Sequence, residues 1–192
     1  MTNTQNFTIR KARLTDVPRM MSLLDKYIRA AEILPRTKED VYRSIREWIV
    51  AETGETQIVG LGSLLVMSPD LAEIRSLVVH PNYHGRGIGR QIVELLLAEG
   101  GALEISRVFA LTRKPDFFLK LGYQLTRIEK LPRKVRRDCV FCPKFHACDE
   151  VAVVISLKDV ALTDSSADFS GVARNGTAPH PVVPLLDKKL RF

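Results

Sequence analysis

Apolar residues along the first 157 positions fall into short runs that suit strands and into three-and-four spacings that suit helices. Residues 7–10 read as a first strand. Thr15 is the expected N-cap, with Asp16 in the first turn, of a helix carrying Met20, Leu23, Leu24, Tyr27 and Ile28. A second helix is predicted from Thr37, because Thr37 and Asp40 have the spacing of a capping box and Val41, Ile45, Trp48 and Ile49 form a buried stripe. Residues 57–67 and 71–79 read as strands on either side of Ser68-Pro69-Asp70, and residues 107–112 as another. Between them, Ile88, Ile92, Leu95 and Leu96 share one helix face while Arg90, Gln91 and Glu94 point elsewhere. Pro115 opens a short helix lined by Phe117, Phe118 and Leu121 and ended by Gly122; strand resumes over 123–128 and again over 151–157.

Composition adds limits to this pattern. A chain of 192 residues, 45% hydrophobic but only 7% aromatic, suits one ordinary α/β domain. No apolar run approaches the roughly 20 residues of a membrane helix, and the first six residues lack a signal-peptide pattern, so no membrane partner is expected and cytoplasmic residence is the default. The net charge of +7 admits nucleic acid, an acidic surface or small anions as partners. Its distribution narrows these. Six of the eleven residues 127–137 are basic, against the single acid Glu129, and no stacking aromatics or reading helix accompany them. Nucleic acid is therefore not the expected partner; a solvated charged face and a basic rim for a polyanionic ligand both stand.

The run from Glu73 to Arg90 carries the most chemistry. A half-buried strand passes through Val78-Val79-His80-Pro81 into His84-Gly85-Arg86-Gly87-Ile88-Gly89 at a helix start, where glycines let backbone approach an anion and the first helical amides lack intrahelical acceptors. A pyrophosphate fits such a cradle; a plain tight turn is the rival reading. A dinucleotide fingerprint of the Gly-x-Gly-x-x-Gly kind is not met, because position 90 is arginine.

At these residues the chain resembles the GNAT family of acyl-CoA-dependent N-acetyltransferases, whose cofactor loop reads Arg/Gln-x-x-Gly-x-Gly/Ala after a strand ending Val-x-Pro. His84 stands where the family has Arg or Gln, which removes a charge contact and leaves the amides. The likeness extends over residues 7–157 and implies a GNAT acyl-CoA N-acyltransferase fold of class α/β (α+β), a mixed central sheet flanked by helices in the order β-α-α-β-β-β-α-β-α-β-β. It implies acetyl-CoA as co-substrate, held by Leu77, Val78, Val79, His84, Gly85, Arg86, Gly87, Ile88, Gly89 and Arg90, with an amide near Val79 at the oxyanion. Phe118-Leu119-Lys120-Leu121-Gly122-Tyr123 resembles another family segment, but Phe118 stands where many members have a tyrosine acid.

Within the family the likeness is to amino-acid N-acetyltransferases of the N-acetylglutamate synthase type, which serve arginine synthesis, in a short form without the kinase-like domain. It is carried by residues 72–77, 108–112, 117–123 and Leu131-Pro132 with the basic run. It implies Glu73 as a base acting through water and Thr112 near the leaving sulfur. Amine acetylation needs an ammonium to lose a proton, so a carboxylate on the strand before the cradle suits the first role. The bland alternatives are a Glu73 paired with Arg75 or solvated, and a Thr112 that caps a turn. L-glutamate, the acceptor implied, has two carboxylates, for which Arg75, Arg133 and Arg136 are the candidate partners and Arg13 and Arg113 the substitutes. Two rivals remain: a GNAT enzyme for another small-molecule or protein amine, and a non-catalytic acyl-CoA-binding module.

Cys139, Cys142 and Cys148 are the chain's three cysteines, and with His146 they have a feasible spacing for a structural zinc; a reduced loop packing as small apolar groups is the alternative. A homodimer is the assembly to test. The expected domain spans residues 1–160, including a basic and Cys-rich loop over 127–149. Residues 161–192, rich in Ser, Asp, Gly, Asn and Pro, are expected to form a disordered tail. Deleting that tail should leave the melting temperature nearly unchanged in a thermal scan; a fall of many degrees would show that it packs.

Overall fold

The computed structural model describes residues 7–131, 139, 142, 144 and 147–157. Arg133, Arg136, His146, most of the basic and Cys-rich loop and the expected tail lie outside them. The elements are β1 (Phe7–Lys11), α1 (Val17–Arg29), α2 (Lys38–Arg43), β2 (Trp48–Thr53), β3 (Ile58–Ser68), β4 (Leu71–Val79), α3 (Ile88–Ala102), β5 (Arg107–Thr112), α4 (Pro115–Leu119), β6 (Gln124–Thr126) and β7 (Val151–Ser156). They follow the expected order. The strands make one mixed sheet, β1-β2-β3-β4-β5-β7-β6, in which only β4 and β5 pair in parallel. No helix among the described residues is long and apolar enough to cross a membrane.

The second predicted helix is the main departure. Its capping box forms, with the Asp40 N–H donating to Thr37 Oγ1 at 3.1 Å and the Thr37 N–H donating to Asp40 Oδ2 at 3.2 Å. The helix nevertheless stops at Arg43, a 3-10 turn follows at Ile45–Glu47, and Trp48 and Ile49 open β2. Trp48, Ile49, Val50 and Ala51 are all buried. An interior strand covered on both faces has no period of two, so its apolar run reads equally well as a helix stripe. Similarly, Thr15 lies in a 3-10 turn, Leu14–Asp16, and α1 starts at Val17. The strand expected over 123–128 shrinks to β6, followed by a 3-10 turn at Ile128–Lys130.

Helix α3 buries Ile88, Ile92, Val93 and Leu96 against β3 and β4. Each such side chain contributes about 1.5–3 kcal/mol by leaving water. The close approach depends on Gly60, where an added Cβ would lie 2.7 Å from Ile88 Cγ2. On the opposite face α1 supplies Val17, Met20, Leu23 and Leu24, which pack with Val41, Trp48, Leu61 and Val78.

Strand β4 changes face midway. Pairing with β3 runs Ser63↔Arg75 and then Leu61↔Val78, so β4 carries one extra residue there, and Ser76 has a φ of +52°. Ala72 and Ile74 before this bulge and Leu77 and Val79 after it all pack toward α3, which unbroken alternation would forbid.

A network of charges secures the start of α1. The Asp16 side chain is fully buried and accepts from Arg10 at 2.6 and 3.0 Å, from Arg19 at 2.6 Å and from the Arg13 N–H at 2.8 Å. Both arginines also bind Glu52. The Arg10 hydrogen bond holds the Asp16 pKa below the ordinary 3.8, against the opposing effect of burial. Removing one member of a buried charged set leaves its partners uncompensated, so Asp16→Ala should cost about 3–5 kcal/mol in urea-denaturation stability. Since the folded pKa is depressed, the Asp16 contribution is complete above the ordinary value and is lost as pH falls through the depressed one. The wild-type and variant stabilities should therefore converge in acid.

Candidate active site

Strands β4 and β5 pair only over Leu71↔Arg107, Ala72↔Val108 and Glu73↔Phe109. Beyond Glu73 they part, and the gap opens into a cleft of about 830 Å³ lined by Ile74 to Val79 on one side and Ala110 to Lys114 on the other. The other walls come from Tyr27 and Arg36, from the glycine loop, and from Cys139, Cys142, Cys148 and Glu150. Glu73 thus sits at the vertex, its side chain half-buried in the cleft.

The glycine loop has the backbone expected of a cradle. Gly85 and Gly87 have φ of +76° and +77°, a region where other residues lose about 1–2 kcal/mol. A Cβ built on Gly85 meets nothing within 4 Å, so that side of the loop faces open space. The first α3 bond runs from the Gln91 N–H to the Gly87 carbonyl, leaving the amides of Ile88, Gly89 and Arg90 without intrahelical acceptors beside that space. These groups fit a pyrophosphate; they supply the dipole and the donors an anion needs.

Two loop side chains behave differently from expectation. His84 Nε2 lies 2.7 Å from the Val79 carbonyl, an acceptor, so the ring carries its hydrogen on that nitrogen. The histidine therefore ties the loop to the end of β4. The Tyr27 hydroxyl donates to the same carbonyl, and burial raises its pKa. The Arg86 guanidinium turns back, donating to the Asn82 carbonyl at 3.0 Å and lying 4.9 Å over the Tyr83 ring, so its backbone is what it offers the cradle. Arg90 lines the cleft and pairs along the helix with Glu94 at 2.7 Å.

Thr112 ends β5 inside the cleft. Its Oγ1 accepts the Lys114 N–H at 3.0 Å, the turn-capping role, and its own hydrogen remains for another acceptor. Phe118 is buried between Phe117 and Tyr123, edge-on to both with centroids 5.1 Å away. The Tyr123 hydroxyl is buried with no hydrogen-bond partner among the described residues, and burial pushes its pKa far up. Tyr123 does not line the cleft.

Of the candidate guanidiniums, Arg75 and Arg113 reach the cleft and Arg13 does not. Arg75 Nη2 donates to Glu47 at 3.2 Å, and its buried Nε has no hydrogen-bond partner among the described residues. Burial raises the Glu47 pKa, opposed by Arg75. Arg113 joins two loops, donating to Asp149 at 2.9 Å and to the Ala31 carbonyl at 2.8 Å. Arg36 and Glu150 escaped sequence reasoning, because neither has a motif and each reaches the site through a loop. The Glu150 carboxyl is half-buried, and desolvation raises its pKa. The expected structural zinc finds no support: among the described residues no three His, Cys, Asp or Glu side chains converge as metal ligands, and the three thiols are free.

A mixed sheet parted beside a bulged strand, with an anion cradle at the helix that follows, defines an acyl-CoA-dependent transferase. The chain belongs to the acetyltransferase (GNAT) family, whose sequence profile matches residues 18–123, and is an acetyl-CoA-dependent N-acetyltransferase. An uncharacterized N-acetyltransferase of Chlorobaculum tepidum is 37% identical over 152 residues, 78% of this chain and 96% of that one. The amino-acid acetyltransferase of Mycobacterium tuberculosis is 38% identical over 126 residues, 65% of this chain and 71% of that one. Among solved structures, N-acetylglutamate synthase of Neisseria gonorrhoeae, complexed with coenzyme A and N-acetyl-glutamate, superposes with a TM-score of 0.71 at 24% identity over 79% of this chain. The chain spans 35% of that synthase.

A side chain at Gly87 would strain the loop and crowd the cradle. Gly87→Val should weaken coenzyme A binding by at least about tenfold, near 1.4 kcal/mol, in calorimetric titration of a protein that still folds.

Proposed function

We propose that the protein transfers the acetyl group of acetyl-CoA to the α-amine of a small amino acid, with L-glutamate as acceptor, as an N-acetylglutamate synthase does. One observation carries this reading: Glu73 and Arg75 share one face of β4 at the vertex of the cleft, about 6.6 Å apart along the strand. A carboxylate and a guanidinium at that spacing match the ammonium and carboxylate of an amino acid. The M. tuberculosis relative named amino-acid acetyltransferase supports the acceptor class, and the fold likeness to the Neisseria synthase is consistent with it.

Acetyl-CoA, when bound, supplies the acetyl group as an activated thioester. The amides at the start of α3 hold its phosphates, and the β4 backbone near Val79 faces the cleft where its acyl end belongs. Glu73 takes the ammonium proton through water, freeing the nitrogen lone pair. Arg75, which lines the cleft, holds a carboxylate of the acceptor, while Glu47 orients the guanidinium. Thr112 gives or directs a proton at the sulfur end from the hydroxyl that the Lys114 amide fixes.

A second reading, another amine acceptor, gains from the pairing of Arg75 with Glu47 and of Arg113 with Asp149, which leaves less positive charge for two carboxylates. An acceptor screen decides. Purified protein is given acetyl-CoA and each standard amino acid, and free thiol release is followed. The expected result is turnover with L-glutamate that falls by about 10²–10⁴ in Glu73→Gln while coenzyme A binding persists. Turnover with a different amine and not with glutamate would establish the second reading.

A further inference from the structure

Every cysteine of the chain lines the cleft, which the proposed chemistry leaves unexplained. Cys139 and Cys142 are half-buried and Cys148 is exposed. The Cys142 N–H donates to the Cys139 carbonyl at 2.9 Å. Cys139 is a half-buried thiol on the wall of the same cleft that Glu73, Thr112 and the phosphate cradle line. A coenzyme A held by the cradle amides has its sulfur in this same cleft. Burial, with Cys148, Glu150, Cys142 and Glu73 nearby, raises the Cys139 pKa and keeps the thiol protonated. A generic disulfide in solution therefore meets little thiolate. A disulfide held by the cradle is different, because its sulfur is presented at a high effective concentration.

We infer that Cys139 is a modification site at which oxidised coenzyme A, bound in the cleft, undergoes disulfide exchange. The Cys139 thiolate attacks one sulfur of coenzyme A disulfide, whose S–S bond breaks as a Cys139–coenzyme A S–S bond forms. The second coenzyme A departs as thiolate and takes up the proton that Cys139 released. The oxidising equivalent comes from the coenzyme A disulfide, and no other reagent is consumed. The tethered coenzyme A then fills the cleft and stops acetyl transfer until a dithiol removes it. This inference rests on the coenzyme A site and not on the identity of the acceptor.

The full chain is incubated with equal concentrations of coenzyme A disulfide or glutathione disulfide, and adducts are located by intact-mass and peptide mass spectrometry. The expected result is a single coenzyme A adduct on Cys139 that forms at least about tenfold faster than the glutathione adduct. Saturating acetyl-CoA should slow it, and dithiothreitol should release it. Cys139→Ser should abolish the adduct and Cys148→Ser should retain it. The acetyl-CoA protection arm, read on the unmutated protein, tests the idea even if Cys139→Ser fails to fold. Equal rates with both disulfides, no protection by acetyl-CoA, or an adduct confined to Cys148 would overturn it.

Discussion

Parallel strands β4 and β5 are hydrogen-bonded over three residue pairs and then diverge, and most of what the protein does depends on that divergence. Backbone groups beyond Glu73 on β4 and beyond Phe109 on β5 no longer bind each other, so they border a cleft of about 830 Å³. In an ordinary sheet such unpaired edges are a liability, covered or blunted. Here they form the walls of a binding site. The bulge at Ser76 belongs to the same arrangement: it inserts one residue, turns the second half of β4 over, and lets Leu77 and Val79 pack on α3 while Val78 packs toward α1.

The elements around the gap hold the site from two sides. Helix α3 lies close to the sheet because Gly60 has no Cβ to meet Ile88, which brings the start of the helix and its free amides to the cleft. Helix α1 is fixed by the Arg10–Asp16–Arg19–Glu52 network and supplies Tyr27, whose hydroxyl meets the Val79 carbonyl. His84 binds that carbonyl too. One backbone oxygen at the end of β4 thus couples α1, the glycine loop and the strand. His84 thus serves as a structural tie.

The electrostatics of the cleft are mixed. Glu73 and Glu150 line it together with Arg75, Arg36 and Arg113, and burial works against the charged form of Glu150 and of the Cys139 thiol. Such a site suits a zwitterion whose opposite charges each find a partner. Phe118, enclosed by Phe117 and Tyr123, brings no hydroxyl to the cleft wall, where Thr112, Ser76, Tyr27 and Tyr83 supply them.

Local physics made much of this legible in the chain alone. Glycine is needed where φ is positive, and an amphipathic stripe marks a helix, so the cradle at Gly85 and Gly87, helix α3, strand β5 and the Thr37–Asp40 box could be read residue by residue. Glu73 and Thr112 came from resemblance to a family, and tertiary structure brought both to the cleft. Tertiary structure also decided what local pattern leaves degenerate. Trp48 and Ile49 became strand because β1 and β3 flank them, and a run buried on both faces carries no period. Arg13 was set aside, Arg75 was given Glu47 as its partner, and Tyr27, Arg36 and Glu150 joined the site through contacts between elements remote in sequence. Sequence records the preferences of each segment; which side chains meet across a cleft depends on how the sheet parts, and that is a property of the packed whole.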